Sequence, residues 1–327
     1  MKTRIWKNTY WLVKREFWEH RGGFFWAPII TGGVFLLLNI MGIITAEVLG
    51  ARHGINFGAS GGLHRVMADM DTGDLSKVGF ALDLAMYSAM GLLTVVLGFV
   101  VFFYCLGALY DDRRDRSILF WKSLPISDTS TVLSKIVSAT VLAPVIAVIV
   151  GIVVGMLQLL ILAITLSFHG VNVWQLLLLA HPFRIVFNLI GYIPLYVLWA
   201  LPSVGWLLLC SAWARNKPFL WAVALPVATG LVISWFGLMG LFNLPTTWFW
   251  KNVVQRGLFS TFPGTGSLFG TNAESIAHSV AGNPNMDFMD LSNTYQLLAS
   301  PNLWIGVVIG AGLLAGAIWF RRWRDDS

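Results

Sequence analysis

Gly58-Ala59-Ser60-Gly61-Gly62 carries the Gly-x-Ser-x-Gly spacing of a nucleophile elbow. There a serine on a tight strand-to-helix turn attacks a carbonyl carbon. That chemistry needs a strand before the serine, and histidine and carboxylate partners brought together by the fold. Here the match lies in a Gly-rich stretch of a chain that reads as all-helical, so it is taken as chance. Other serines, histidines and aspartates are scattered. The six histidines do not cluster at metal-ligand spacing, and no His-Glu-x-x-His occurs. No Gly-x-x-x-x-Gly-Lys-Ser/Thr phosphate loop is present, so ATP binding in the P-loop manner is excluded. Cys105 and Cys210 both sit inside apolar runs and read as small apolar side chains. No catalytic residue, metal ligand or cofactor is assigned.

The elements that would hold any site are membrane helices. Of 327 residues, 57% are hydrophobic and 12% charged, about half the charged share of a soluble domain. Six runs are long enough to cross a hydrocarbon core, which takes about 20 residues of helix. They are 24–48, 80–109, 136–166, 185–210, 219–242 and 303–320. The expectation is an all-α, polytopic integral membrane protein. An N-terminal segment (1–23) precedes one six-helix domain (24–320), and a short tail follows (321–327).

The net charge of +6 raises nucleic acid as a partner, but the cations flank the apolar runs and argue against it. Of the 22 Lys and Arg residues, sixteen fall in 1–23, 111–135, 211–218 and 321–327. By the positive-inside rule those segments, and hence both termini, are cytoplasmic. No cleavable leader is evident ahead of the first run. Trp6, Tyr10, Val13 and Phe17 recur on one helical face, with Lys7, Lys14 and Arg15 away from it. This predicts an amphipathic helix on the cytoplasmic surface, turning at Arg21-Gly22-Gly23 into the first span. On the other side, 50–79 reads as loop with some helix and 173–180 as a short surface helix. Segment 243–302 is the largest, with 246–258 placed at the outer interface and a loop after it.

Pro144, Pro194, Pro202 and Pro226 predict kinks. The pairs Gly151/Gly155, Gly306/Gly310 and Gly312/Gly316 read as close helix packing. Ionisable residues within the runs are few: Glu47 and Asp83 lie toward outer ends, and Arg184 begins the fourth. All three read as solvated helix ends. Asn39, Gln158 and Asn188 lie deeper and either line a path or bond a neighbouring helix; the sequence supports both.

One polar insert differs from the rest: Tyr110-Asp111-Asp112-Arg113-Arg114-Asp115-Arg116-Ser117-Ile118-Leu119-Phe120-Trp121-Lys122-Ser123-Leu124-Pro125. Its first half alternates in charge, and its second half carries Ile118, Phe120, Trp121 and Leu124. Pro125 ends it, and Ser127-Asp128 offers an N-cap for the next helix. From the residues alone, two readings stand level. The short helix either tucks its aromatics among lipid headgroups or is a handle held by a soluble motor.

The insert resembles the first cytoplasmic loop of ABC-2 type permeases, the membrane subunits of ATP-binding-cassette exporters. The likeness rests on residues 110–117, on Phe120-Trp121-Lys122-Ser123-Leu124-Pro125-Ile126-Ser127, and on Leu133-Ser134-Lys135. The six-span plan, with an elaborated connection between the last two spans, agrees with it. The resemblance implies a permease subunit, not an enzyme, that exports a substrate in a bacterial inner (plasma) membrane. It implies a separate ATPase subunit that binds the ATP, and a second permease subunit, identical or different. It implies that Arg113, Arg116, Phe120, Trp121 and Leu124 contact the ATPase, and that the segment between the last two spans forms re-entrant or interfacial helices. The alternative is an ATP-independent carrier or a membrane-embedded enzyme, which would need a buried reactive cluster.

Overall fold

In hydrocarbon a backbone must satisfy its own amides and carbonyls, and a long apolar run does so by coiling into a helix. The computed structural model describes residues 2–52, 72–115, 127–168, 180–239, 246–265 and 295–323, and holds no strand among them. Helix α1 is Lys2–Glu19. A single wide π turn, Gly22–Trp26, leads into α2 (Ala27–Arg52). Then come α3 (Thr72–Arg114), α4 (Asp128–Val137) and, through a π turn at Ser138–Leu142, α5 (Ala143–Phe168). Helix α6 is Pro182–Trp213, and a π turn at Leu220–Ala224 opens α7 (Leu225–Leu238). Two short helices, α8 (Thr246–Phe249) and α9 (Arg256–Phe259), flank a π turn at Trp250–Gln255. A 3-10 turn, Gln296–Ala299, precedes α10 (Pro301–Trp323).

Six of these helical stretches are long and apolar enough to span a membrane: Gly22–Gly50, Val78–Arg114, Asp128–Phe168, Pro182–Trp213, Leu220–Leu238 and Pro301–Trp323. Each matches one expected run. Two ends move. The second runs on to Arg114 and the third starts at Asp128, so both ends of the 111–135 loop are helical. The Ser127 hydroxyl accepts from the Ser130 amide at 3.2 Å, which caps α4.

The prolines act less uniformly than expected. Pro28, Pro144 and Pro226 each stand two residues after a π turn. Proline has no N–H and its ring pushes on the preceding turn, and the residue before it reaches back five positions: Ala27 N–H bonds Gly22 O, and Ala143 N–H bonds Ser138 O. The strain is absorbed as a widened turn. Pro194 and Pro202 lie inside α6, which continues through both.

Helix α6 is central. It packs on α3, α5, α9 and most extensively on α10. Ala200, Val204, Leu207 and Leu208 of α6 meet Val101, Cys105 and Leu109 of α3 in the main core. Helices α6 and α10 touch backbone to backbone. A Cβ on Gly205 would lie 2.8 Å from Gly310 O, and one on Gly310 2.7 Å from the Leu201 carbonyl carbon. Gly151 and Gly155 face Met90 and Met86 of α3. These glycine pairs serve packing within the chain, whereas Gly312 has nothing within 4 Å. Helix α2 rests on α3 and α5 at the edge of the bundle, with Ile30, Leu37, Met41 and Ile44 exposed.

The 246–258 stretch, expected along the outer surface, packs into the bundle. Val254 and Leu258 belong to the main core. Tyr196 OH donates to Thr261 O at 2.8 Å, and Ser203 Oγ donates to Arg256 O at 2.8 Å. Gly264 N donates to Tyr192 OH at 2.7 Å. Phe262 lies against Gly98, in mid-α3, where any Cβ would overlap its ring. Stretches 53–71 and 171–179, which hold Ser60 and most of the expected 173–180 helix, lie outside the described residues.

Candidate functional site

On α1, Tyr10, Trp11 and Trp18 are exposed and Val13 and Phe17 half-buried, and among the residues whose side chains are described Leu12 and Glu16, one helical turn apart, are buried. The structure turns this carboxylate inward, where cations meet it.

Those cations come from helices far apart in sequence. Lys135, on the first turns of the third span, is buried with its side chain 1% exposed. Its Nζ lies 3.2 Å from Glu16 Oε1 and 3.4 Å from Asp112 Oδ2. Arg321 at the end of α10 reaches the same Asp112 oxygen through Nη1 at 3.2 Å, and its Nε donates to Asp128 Oδ1 at 3.3 Å. Tyr104 OH donates to Glu16 Oε2 at 2.8 Å, and Arg15 Nη2 to Glu16 Oε1 at 2.6 Å. Three carboxylates and three cations thus form one chain of charge that joins α1, α3, α4 and α10.

Burial by itself would push the Glu16 carboxyl up; Lys135, Arg15 and the Tyr104 hydroxyl outweigh it and hold the group below its ordinary value. Glu19 and His20 lie close enough to Glu16 to share a metal ion. Both Glu16 oxygens are already committed to Lys135, Arg15 and Tyr104, so no ion is assigned to the trio.

The network frames the polar insert. Asp112 stands at its entry and Asp128 at its exit, and Arg321 bridges the two. Arg113, expected at the ATPase surface, turns into the bundle: its Nη2 donates to Ser211 O at 2.5 Å and Ala214 O at 2.9 Å. It thereby satisfies carbonyls at the C-terminus of α6, which otherwise lack partners. Ser211 Oγ in turn accepts from the amides of Leu109 and Tyr110. Arg116, Phe120, Trp121 and Leu124 lie outside the described residues.

Glu16, Lys135, Asp112, Asp128 and Arg321 were not singled out as a group from the sequence. Two signals existed. Lys135 is a lone cation where an apolar run begins, and Glu16 falls one turn after Leu12. Nothing local says that they meet, because 119 residues separate them.

The polar residues within the spans resolve toward packing. Gln158 Nε2 donates to Asn39 Oδ1 at 3.0 Å, tying α5 to α2. Asn188 Nδ2 donates to Tyr87 OH at 3.5 Å. Asp83 accepts from the His181 backbone amide at 2.9 Å, at the start of α6.

Comparison with protein-family models, with curated proteins and with solved structures gave no match.

Proposed function

We propose that this chain is the membrane-spanning permease subunit of an ATP-driven exporter of the ABC-2 type. In this reading a separate ATP-binding-cassette ATPase docks on the 116–126 segment, and the site residues there are Arg116, Phe120, Trp121 and Leu124. A second permease subunit completes the pathway, and both termini are cytoplasmic. The observation that carries the proposal is the buried charge chain at the two ends of that segment. A handle transmits force only if its roots are stiff. Here Arg321 ties the Asp112 root to the Asp128 root, and Lys135 ties α1 to both. A push on the segment therefore moves α1, α3, α4 and α10 together. Arg113 carries the same displacement to α6 through the Ser211 and Ala214 carbonyls, so its role is positioning rather than contact.

ATP supplies the bias. It closes the ATPase dimer, draws the two coupling segments together and favours one exposure of the pathway over the other. Its effect is limited to its differential affinity for the two states.

The test is affinity capture of the full chain from membranes co-expressing any ATP-binding-cassette ATPase whose gene adjoins its own. A stable complex is expected, and it should be lost in F120D/W121D and on deletion of residues 118–125. Membrane insertion, read by protease protection, should be unchanged. Capture that survives the deletion, or a chain that exports cargo in proteoliposomes without any ATPase, overturns the proposal.

A further inference from the structure

A groove of about 580 Å³ opens where the α1–α2 elbow meets α3, within the range of about 300–1,000 Å³ of small-ligand pockets. Helix α3 lines it with one stripe, Val96, Phe99, Phe103, Gly107 and Asp111, at the three- and four-residue spacing of a single helical face. Val96 and Asp111 are fifteen positions apart, about 22 Å along a helix. A hydrocarbon core is about 30 Å thick, so the stripe runs from the surface to about the bilayer centre, the reach of one leaflet. Its deep part is aromatic, and the rings are held in place. Phe99 meets Phe262 edge-on at 5.0 Å, and Phe103 stacks on Phe219 at 6.5 Å. Phe99 and Phe103 are both exposed, so this wall is built but left uncovered within the chain.

The mouth of the groove is acidic. Glu19 and His20 of α1 and Asp111 of α3 line it, and among the described residues no Lys or Arg does. The groove opens at the end of the bundle that holds the charge chain, where the flanking segments are rich in cations, so a carboxylate mouth there needs a cause. Each carboxylate stands at a helix C-terminus: Glu19 is the last residue of α1, and Asp111 lies in the last turn of α3. The negative end of a helix dipole disfavours a carboxylate and favours a cation. Among the described residues, Arg15 Nε lies 3.4 Å from Glu19 Oε1, and Arg114 Nη1 lies 3.5 Å from Asp111 Oδ1. Asp111 Oδ2 lies back over Gly107, where a Cβ would be 2.7 Å from it. Gly107 therefore lets that oxygen fold down toward the groove. At the elbow, Gly22 lines the groove and has nothing within 4 Å of a Cβ, so the space is open there.

We propose that this groove binds one phospholipid with an amine headgroup, its ammonium at the Glu19–Asp111 mouth and one acyl chain along Phe99 and Phe103. A protonated amine compensates the two carboxylates and suits the helix C-termini that carry them. Arg114, exposed beside Asp111, supplies a cation for the phosphate of the same headgroup. An anionic headgroup would bring like charge against two carboxylates, and an uncharged one would leave them unmet. The inference goes beyond the exporter reading and does not depend on it. Lipid retention belongs to this chain alone, so its failure is separable from loss of the ATPase partner.

The experiment is native mass spectrometry of the purified full-length chain in detergent, titrated with phosphatidylethanolamine and, separately, with phosphatidylglycerol of the same acyl chains. One phosphatidylethanolamine should be retained at least tenfold more tightly than phosphatidylglycerol. E19Q/D111N should reduce that preference to less than twofold. D111N alone, which keeps the test open if the double variant does not fold, should cut it at least threefold. G22L, which fills the groove without altering its charge, should weaken phosphatidylethanolamine binding at least fivefold. D115N, the loss of an exposed acid outside the groove, should change the preference less than twofold. Equal retention of the two lipids by the wild type, an undiminished preference in E19Q/D111N or D111N, or undiminished binding in G22L overturns the proposal. So does a wild-type dimer that carries no lipid and separates in G22L, which would give the groove to a second copy of the chain.

Discussion

Glu16 and Lys135 are each buried almost completely and compensate each other, with Arg15 as a second partner of Glu16 and Asp112 as a second partner of Lys135. Removing one of the two leaves a buried charge short of a partner, which costs up to about 3–5 kcal/mol. E16Q and K135M should each lower the denaturant midpoint in detergent by that order. The double variant should lose clearly less than the sum, because the second change removes a charge that the first had orphaned. Additive losses would mean that the two do not act as a pair. The pH dependence has a definite sign. The carboxyl of Glu16 sits below its ordinary value of 4.5 in the folded chain. Its contribution is complete above that value and disappears as pH falls through the lower folded one. The stability difference between wild type and E16Q, measured across pH 3 to 7, should be flat above about 5 and shrink below 4.5. At this scale the sequence was only partly legible. Arg113 was expected at a partner surface; the carbonyls of α6 that it binds are not pointed to by any pattern within the insert. Glu16 was missed because a count of apolar residues scores a carboxylate as surface, whatever meets it.

Helices were the most legible feature, since a run of apolar residues leaves the backbone no other solution in lipid. All six stretches long and apolar enough to span fall where hydropathy put them, and their ends shift most where polar residues extend them, as at Ser127 and Arg114. The stretch after α7 was harder. Its mixture of aromatics and cations is what an interfacial helix also shows. Its true position depends on a space left for it in α3 and α6, where Gly98 admits Phe262 and Ser203 binds the turn. That space can be closed. G98V should force the Phe262 ring out at a cost of about 1–3 kcal/mol. A cysteine at Ser260, buried in the native chain, should then react with a water-soluble maleimide at least tenfold faster. Adding F262A should restore the slow rate. Equal labelling of S260C with and without G98V would show that the 246–265 segment is not held by this contact.

For the molecule as a whole, the charge asymmetry read from sequence and the charge chain seen in the structure fall at the same end of the bundle. Orientation is directly measurable. In a chain whose buried Cys105 and Cys210 are replaced by alanine, D115C should resist an impermeant maleimide on intact cells and react after permeabilisation. H181C, at the opposite end, should react at once; the reverse pattern would invert the topology. What no scan of the sequence exposes is how late the charge chain closes. Asp112 and Arg321 are 209 residues apart. At ordinary ribosome speeds of about 5–20 residues per second, Asp112 waits roughly 10–40 s for that partner. Until then the nascent protein must keep its half-built ionic joint wet, outside the translocon's lipid seam. Helix α10 then works as a latch: it follows the helices it joins, slides its glycines against α6 and delivers the cation that fastens helices inserted long before it.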